Sequence, residues 1–478
     1  MNRSIIATAL LLTLSACGGS GGSSKTTTPS PTVPSTITVK AVYTDECGNE
    51  TSATDAKLII HNNDFSNKEI VSADANGIMT YSSSNASETV SIVTRGGIDV
   101  DGVMPINLTS YIDHPVVDMG TIETRTYDTS QCSCQQSDLI VSTPSRPLDI
   151  GNLNTSIYYY NTINNSVGSS QALGLRQCFQ VDESVKLMSA QMKYSAPDEL
   201  YGVLIPDFTQ VSSVDAVIQG QPVNINTDSS SRRVAAFIDG AYHLINSTRS
   251  IDENVYSYQF ENTGFYVVDA YDFNFLDDIP NVNEAYTYTL SRQRSTNINQ
   301  TFDLSKYTID YNELFEILTS ESGSYSLSNT TDFDFINLAM LGRGYGGNML
   351  DWYIYAPTSG RVPNLDNLDL SVFISNEDLT PRIDTLTMEI FATGYKGINN
   401  YTDYLNSIID IEPEDFIQSK WQQYNYALFS MTMEAEGLSS AVPTKAQFEM
   451  AIKSQLNRHQ DNKNVSVKLL DSEQKLLQ

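Results

Sequence analysis

Ile37-Thr38-Val39-Lys40-Ala41-Val42-Tyr43-Thr44 puts Ile37, Val39, Ala41 and Tyr43 on one side of an extended chain and Thr38, Lys40, Val42 and Thr44 on the other. Successive side chains of a strand point to opposite faces, so this period of two predicts a half-buried β-strand. Asp45-Glu46-Cys47-Gly48-Asn49 then reads as a turn, because Asp, Asn and Gly bond or relax the backbone locally. Ala56 to His61 (AKLIIH) is a second strand, Asp74-Ala75-Asn76-Gly77 a second turn, and Ile78 to Tyr81 and Glu88 to Arg95 further strands. Short strands roughly ten residues apart, separated by turn residues, predict a β-sandwich.

The same texture continues. Strands are predicted at Thr155 to Asn161 (TSIYYYN), Leu200 to Pro206, Arg233 to Asp239, Val255 to Phe260, Gly264 to Ala270 and Ala285 to Leu290, with no convincing helical period between them. Asp310 and Glu313 can cap a short helix carrying Leu314, Phe315, Ile317 and Leu318. Strands follow at Asp332 to Met340, Trp352 to Ala356, Leu368 to Ile374, Thr385 to Ala392 and Ala427 to Met433, with short helices at Tyr401 to Ile409 and Pro413 to Trp421. A last helix starts after Thr444, with Phe448, Ile452 and Leu456 on one face. The expected fold class is mainly β: tandem β-sandwich-like domains with a few short helices, on a disordered N-terminal tether. The expected units are 36–136, 137–298 and 299–440, with a C-terminal helix and tail over 441–478.

The first residues explain the tether. Arg3 precedes an apolar run from Ile5 to Leu14, too short for a bilayer core that needs about 20 residues, and therefore an export signal over residues 1–16. Leu14-Ser15-Ala16-Cys17 resembles the lipobox of bacterial lipoproteins. That resemblance implies cleavage before Cys17, acylation of Cys17, and a lipid anchor as the membrane attachment. Gly18-Gly19 follows Cys17 where an aspartate would favour inner-membrane retention, so the expected location is the outer membrane, facing the periplasm or the cell surface. Gly, Ser, Thr and Pro dominate up to Ser35, a linker with a reach on the order of 25 Å, about 60 Å when stretched.

Residues 36–127 resemble carboxypeptidase-regulatory-like and bacterial Ig-like modules, through the opening strand with Asp45 and Gly48 and through Ser72-Ala73-Asp74-Ala75-Asn76-Gly77. The resemblance implies a spacer or binding unit and no chemistry.

Composition narrows the partners. Fifty-seven acidic against 28 basic residues give a net charge of −29, which argues against nucleic acid and anionic lipid. Besides Cys17 there are four cysteines, Cys47, Cys132, Cys134 and Cys178, an even number that outside the cytoplasm predicts disulfides. Three pairings exist. A Cys132–Cys134 bridge would be strained, so the expectation is that Cys47 joins one member of the Cys-x-Cys pair and Cys178 the other, stapling the first unit to the second.

No motif establishes catalysis. Gly342-Arg343-Gly344-Tyr345-Gly346-Gly347 fits G-x-G-x-x-G, but the following residues read as a strand, with no helix N-terminus to hold a phosphate. Asp99 and Asp101 are weak calcium candidates. The sets Asp269, Asp272, Asp277 and Asp278, and Asp366 with Asp369, likewise fall short of a calcium loop. Glu412, Glu414 and Asp415 suit a helix N-terminus. The histidines, His61, His114, His243 and His459, are scattered singly, and neither G-x-S-x-G nor H-E-x-x-H occurs. Tyr158-Tyr159-Tyr160, Tyr256, Tyr258, Tyr266 and Trp352-Tyr353-Tyr355 could stack on sugars, although core packing explains most such residues. The expectation is a lipid-anchored envelope protein with a non-catalytic binding, adhesion or structural role, no cofactor, and a glycan or protein ligand. The alternative is an exported carbohydrate-active enzyme or its glycan-binding subunit.

Overall fold

In a computed structural model of the chain, the residues described are 35–434 other than 97–104, 127, 157–159, 182, 184, 196–197, 251–252, 261, 277–278, 280–281, 305–306, 308, 320–323, 345–346, 362–383, 409–416 and 418–419. Residues 1–34, the strand expected at 368–374, most of the helix expected at 413–421 and everything after 434 lie outside them.

The chain is mostly β-structure, as its alternation predicts, and its centre is one twelve-stranded sheet. In spatial order the strands are Ala241–Thr248, Ser231–Ile238, Thr263–Phe275, Glu284–Ser295, Gln423–Glu434, Thr385–Tyr395, Phe335–Gly344, Gly347–Pro357, Ile106–Pro115, Ser87–Arg95, Lys57–His61 and Asn67–Ser72. Strands from all three expected units therefore share one hydrogen-bond ladder, and position 298 marks no break in it. Position 136 falls inside the strand Cys132–Ser142. Alternation locates strands but says nothing of their partners, so the sheet could not be read from the sequence.

The first unit closes against one end of this sheet. Ser35–Thr44 pairs with Ile78–Ser83 and Glu50–Ser52, and in parallel with Asp118–Arg125. Ile37, Val39, Ala41 and Met79 from that small sheet pack onto Leu58, Ile60, Val90 and Ile92 of the long one. The expected turns fix the hairpins. Asp74 Oδ1 accepts from the backbone N–H of Asn76 and Ile78 at 2.8 and 2.9 Å, and Gly77 sits at φ +76° where a Cβ would collide with the Ala41 carbonyl. Lys57–His61 is buried on both faces: Leu58 and Ile60 point to the small sheet while Ile59 points to the larger core. That explains why it reads as an unbroken apolar run.

The larger core lies on the other side. Ile59, Leu108, Trp352, Ile354, Leu338, Ile390 and Phe429 form it, covered by Leu314, Phe315 and Ile317 of the helix Tyr311–Thr319. The second helix, Tyr401–Leu405, is shorter than expected: Asn400 caps it by accepting from the Asp403 N–H at 2.9 Å, and Asn406 ends it. Residues 132–219 form a separate sandwich of two four-stranded sheets around Leu139, Val141, Leu175, Met192 and Phe208. Of the strand expected at 155–161, residues 157–159 lie outside the described residues; Asn152–Thr155 and Thr162–Ser166 are strands on either side.

Within the long sheet, a parallel seam joins the first unit to the rest. Gly347–Pro357 pairs in parallel with Ile106–Pro115, from Leu350↔Ile106 to Tyr355↔Tyr111. A buried chain of side chains crosses the seam. Trp352 Nε1 donates to Ser110 Oγ at 3.0 Å, Ser110 and Ser91 hydroxyls bond at 2.6 Å, and Ser91 Oγ meets His61 Nε2 at 2.7 Å. His61 Nδ1 lies 3.1 Å from the Phe65 carbonyl, and the Phe65 ring stacks on the imidazole at 4.1 Å. With Nδ1 protonated and Nε2 accepting, every member is satisfied in one direction.

Cys47 is bonded to Cys132 and Cys134 to Cys178. The first bridge ties the turn after Ser35–Thr44 to the small sandwich. The second links directly opposed residues of neighbouring strands within that sandwich.

Two outcomes are expected. Reduction should destabilise the protein by about 2–4 kcal/mol per bridge, read by urea unfolding with and without reductant; four thiols that alkylate in the native, unreduced protein would contradict the pairing. Burial lowers the His61 imidazole to about 4, against partial compensation from the Phe65 carbonyl. The unfolded chain takes up that proton near pH 6.5, so stability held above about 6.5 is lost as the pH falls toward 4, by about 3 kcal/mol in all. His61→Gln should flatten the slope of unfolding free energy against pH over that window by about one proton; an unchanged slope would show that His61 titrates normally.

Candidate functional site

The strand registers place a patterned face on the long sheet opposite the helix Tyr311–Thr319. One row runs Phe275, Tyr286, Ser430, Glu389, Ala339, Tyr353 across six neighbouring strands. The next runs Phe273, Tyr288, Leu428, Phe391, Asn337, Tyr355. A third holds Tyr271, Leu290, Tyr426 and Thr393, and a fourth Arg233, Asp269, Arg292, Tyr424 and Tyr395. Side chains alternate with period two along every strand, so residues in register stand side by side on one face. Packing confirms it: Phe273 stacks on Tyr286 at 4.8 Å, and Phe391 lies 5.4 Å from the Tyr426 ring.

In the first row the large rings stand at the sides and small residues in the middle. Ser430 and Ala339 flank Glu389, and half-buried Tyr286 and Tyr353 stand beyond them. Four strand spacings separate the two tyrosines, roughly 19 Å. Glu389 Oε1 accepts from Ser430 Oγ at 3.1 Å and from the Tyr286 hydroxyl at 3.3 Å. Burial raises the Glu389 carboxyl above its ordinary value, more than those two hydroxyls lower it. Burial likewise raises the Tyr286 phenol, which stays a neutral donor.

The fourth row carries the strongest charges. Asp269 is 1% exposed and takes two bonds from Arg233, at 2.8 Å from Nε and 2.6 Å from Nη2. Arg292 adds Nε at 2.6 Å and Nη2 at 3.0 Å. The guanidiniums also lie over aromatic rings, Arg233 over Tyr271 at 5.6 Å and Arg292 over Tyr424 at 5.3 Å. Burial alone would raise the Asp269 carboxyl, but the two guanidiniums outweigh it and hold it at about 2.

The sequence candidates are placed as follows. Cys17, Asp99, Asp101, His459, Glu412, Glu414, Asp415, Asp277, Asp278, Asp366 and Asp369 lie outside the described residues. His61, His114 and His243 are buried, and burial lowers each imidazole. His114 Nδ1 meets the Pro115 carbonyl at 2.6 Å, and His243 Nδ1 meets Ser189 Oγ at 3.2 Å, so no two histidines share a site among the described residues. Gly342 and Gly344 end one strand and Gly347 opens its antiparallel partner, a hairpin and not the start of a helix. Asp45, Cys47 and Cys132 come together, but the sulfurs are bonded to each other and cannot serve a metal.

Among the aromatic candidates, Tyr256, Tyr258 and Tyr266 are core residues, and Trp352 faces the larger core. Tyr160 is 44% exposed, and Tyr158 and Tyr159 lie outside the described residues. Only Tyr353 and Tyr355 reach the patterned face. Tyr286, Glu389, Ser430 and Tyr426 were not singled out in the sequence. The available signal was aromatics at i and i+2, as in Phe273/Phe275, Tyr286/Tyr288 and Tyr424/Tyr426.

No known protein family matches the chain, and no curated protein does. Among solved structures, a streptococcal ancillary pilin aligns with 49% of this chain and 89% of its own at 9% identity, with a TM-score of 0.11, which is too slight a likeness to carry an argument.

Asp269→Ala should cost about 3–5 kcal/mol, because it leaves two buried guanidiniums without their carboxylate. In the wild type, the Asp269 contribution is complete above about pH 4, the ordinary carboxylate range, and is lost as the pH falls toward 2. Urea titrations of both proteins at pH 7 check the first point; a difference under about 1 kcal/mol would mean the triad is not desolvated as placed.

Proposed function

We propose that this is a lipid-anchored envelope protein whose β-structured body has a non-catalytic binding, adhesion or structural role outside the cytoplasm. The observation that carries the binding role is the patterned face, where half-buried Tyr286 and Tyr353 border Ser430, Glu389 and Ala339 on the long sheet. Aromatic rings in register across neighbouring strands suit contact with an extended ligand, whereas catalysis needs groups converging on a reacting atom. The three described histidines are each engaged separately, and the most buried carboxylate among the described residues, Asp269, is held by two arginines. Two disulfides support an oxidising location. Leu14-Ser15-Ala16-Cys17 supports acylation of Cys17, with the outer membrane as destination. The alternative of an exported carbohydrate-active enzyme draws on Glu389, whose carboxyl is raised by burial and by nearby Asp351.

Cys17→Ser should abolish acylation and release the body from the membrane, read by fractionation after a carbonate wash. A variant that stays with the membrane would reject the lipid anchor. Protease treatment of intact cells then separates the two faces: digestion of the body marks the cell surface, and protection marks the periplasm.

A further inference from the structure

We propose that the Cys134–Cys178 bridge is a redox-active site that exchanges with an external dithiol, with Cys134 as the attacked sulfur and Arg176 as the group that stabilises its thiolate. The site is separate from the patterned face. Two disulfides stand side by side on one sheet of the small sandwich, and their surroundings are opposite in access and in charge. Cys132 and Cys134 are two apart on the strand Cys132–Ser142, so both side chains share a face. Leu139 and Val141 of that strand point into the sandwich core, so Cys134, Gln136, Asp138 and Ile140 face outward, and all four are exposed. Cys178 stands opposite Cys134, and Gln180 opposite Cys132. At the first bridge Cys47 is 4% exposed, and Asp45 Oδ2 lies 4.0 Å from Cys132 Sγ. At the second, Cys134 is exposed, Cys178 is half-buried, and Arg176 Nη2 lies 3.4 Å from Cys134 Sγ.

Exchange begins when a thiolate attacks a disulfide sulfur, so access and local charge decide which bridge reacts. The Asp45 carboxylate repels an incoming thiolate and disfavours one on Cys132. The Arg176 guanidinium attracts the incoming thiolate and favours one on Cys134. One thiolate of the dithiol attacks Cys134 Sγ, forms a mixed disulfide and expels the Cys178 thiolate, which takes a proton. The second thiolate of the dithiol attacks its own partner sulfur in that mixed disulfide and expels the Cys134 thiolate beside Arg176. The dithiol leaves as a disulfide, and its two electrons end on the cysteine pair. Opening this bridge leaves the strands joined, because their register runs on from Cys132↔Gln180 to Ser169↔Ser142. The pair can therefore cycle in the folded protein, while Cys47–Cys132 stays closed between the first unit and the small sandwich.

The test is graded reduction of the purified full chain in dithiothreitol buffers, quenched with N-ethylmaleimide and mapped by peptide mass spectrometry. Cys134 and Cys178 should label at dithiothreitol concentrations that leave Cys47–Cys132 bonded, and the near-ultraviolet circular dichroism should stay native. Arg176→Ala should slow reduction of Cys134–Cys178 about threefold, the loss of one exposed charge contact, and Arg176→Lys should restore most of the rate. A second variant, Cys178→Ser, leaves Cys134 as a free thiol. Its alkylation by iodoacetamide against pH should show that thiol below the ordinary value of about 8.5, and adding Arg176→Ala should return it toward that value. Should Cys178→Ser fail to fold, the wild-type and Arg176 series still decide. Reduction of both bridges together, reduction of Cys47–Cys132 first, loss of the native spectrum when Cys134–Cys178 alone opens, or a rate indifferent to Arg176→Ala would overturn the assignment.

Discussion

The parallel seam between Gly347–Pro357 and Ile106–Pro115 is the constraint on which the architecture depends. Remove it and the long sheet divides into four strands from the first unit and eight from the rest. Backbone bonds alone would permit other registers. The chain Trp352–Ser110–Ser91–His61 is satisfied in one alignment, because the Trp352 indole must reach Ser110 and the His61 ring must accept from Ser91. A slip by one residue would turn Trp352 out of the core and leave buried hydroxyls unpaired, at a cost of roughly 1–3 kcal/mol for each polar group. The relay therefore acts as a register lock inside an otherwise apolar layer.

Much of the local structure was legible. The strand at Ile37 to Thr44, the turns at Asp45 to Asn49 and Asp74 to Gly77, and the helix of Leu314, Phe315 and Ile317 all follow from period and turn chemistry. The pairing was not legible, because Leu350 beside Ile106 leaves no trace in either segment's alternation. The candidate face was hidden for the same reason. Tyr286, Ser430, Glu389 and Tyr353 are scattered along the chain, and register alone makes them neighbours. Tyrosines that caught the eye in the sequence, such as Tyr256 and Tyr258, proved to be core residues, since a strand buried on both faces uses aromatics as filling.

Charge is also distributed against the composition. In a chain of net charge −29, Arg233 and Arg292 are spent on one buried aspartate. Their guanidiniums cover Tyr271 and Tyr424, so the triad packs as well as pairs. Such networks add little net stability over apolar packing but penalise any arrangement that separates their members. Here the members come from three adjacent strands, so the triad fixes the order of the far end as the relay fixes the near one.

The seam has a kinetic side. Trp352 and Ser110 are 242 residues apart, and the strands between them fill the small sandwich and the far end of the sheet. A chain made from its N-terminus thus finishes Ile106–Pro115 long before its partner strand exists. Until then that strand is an open edge, with Ile106, Leu108 and Trp352's future contacts exposed to any passing strand. Such long-range closure is slow. A chain ending before residue 347 therefore lacks the seam and keeps Ile106–Pro115 as an open edge, which makes it a poor proxy for the native fold.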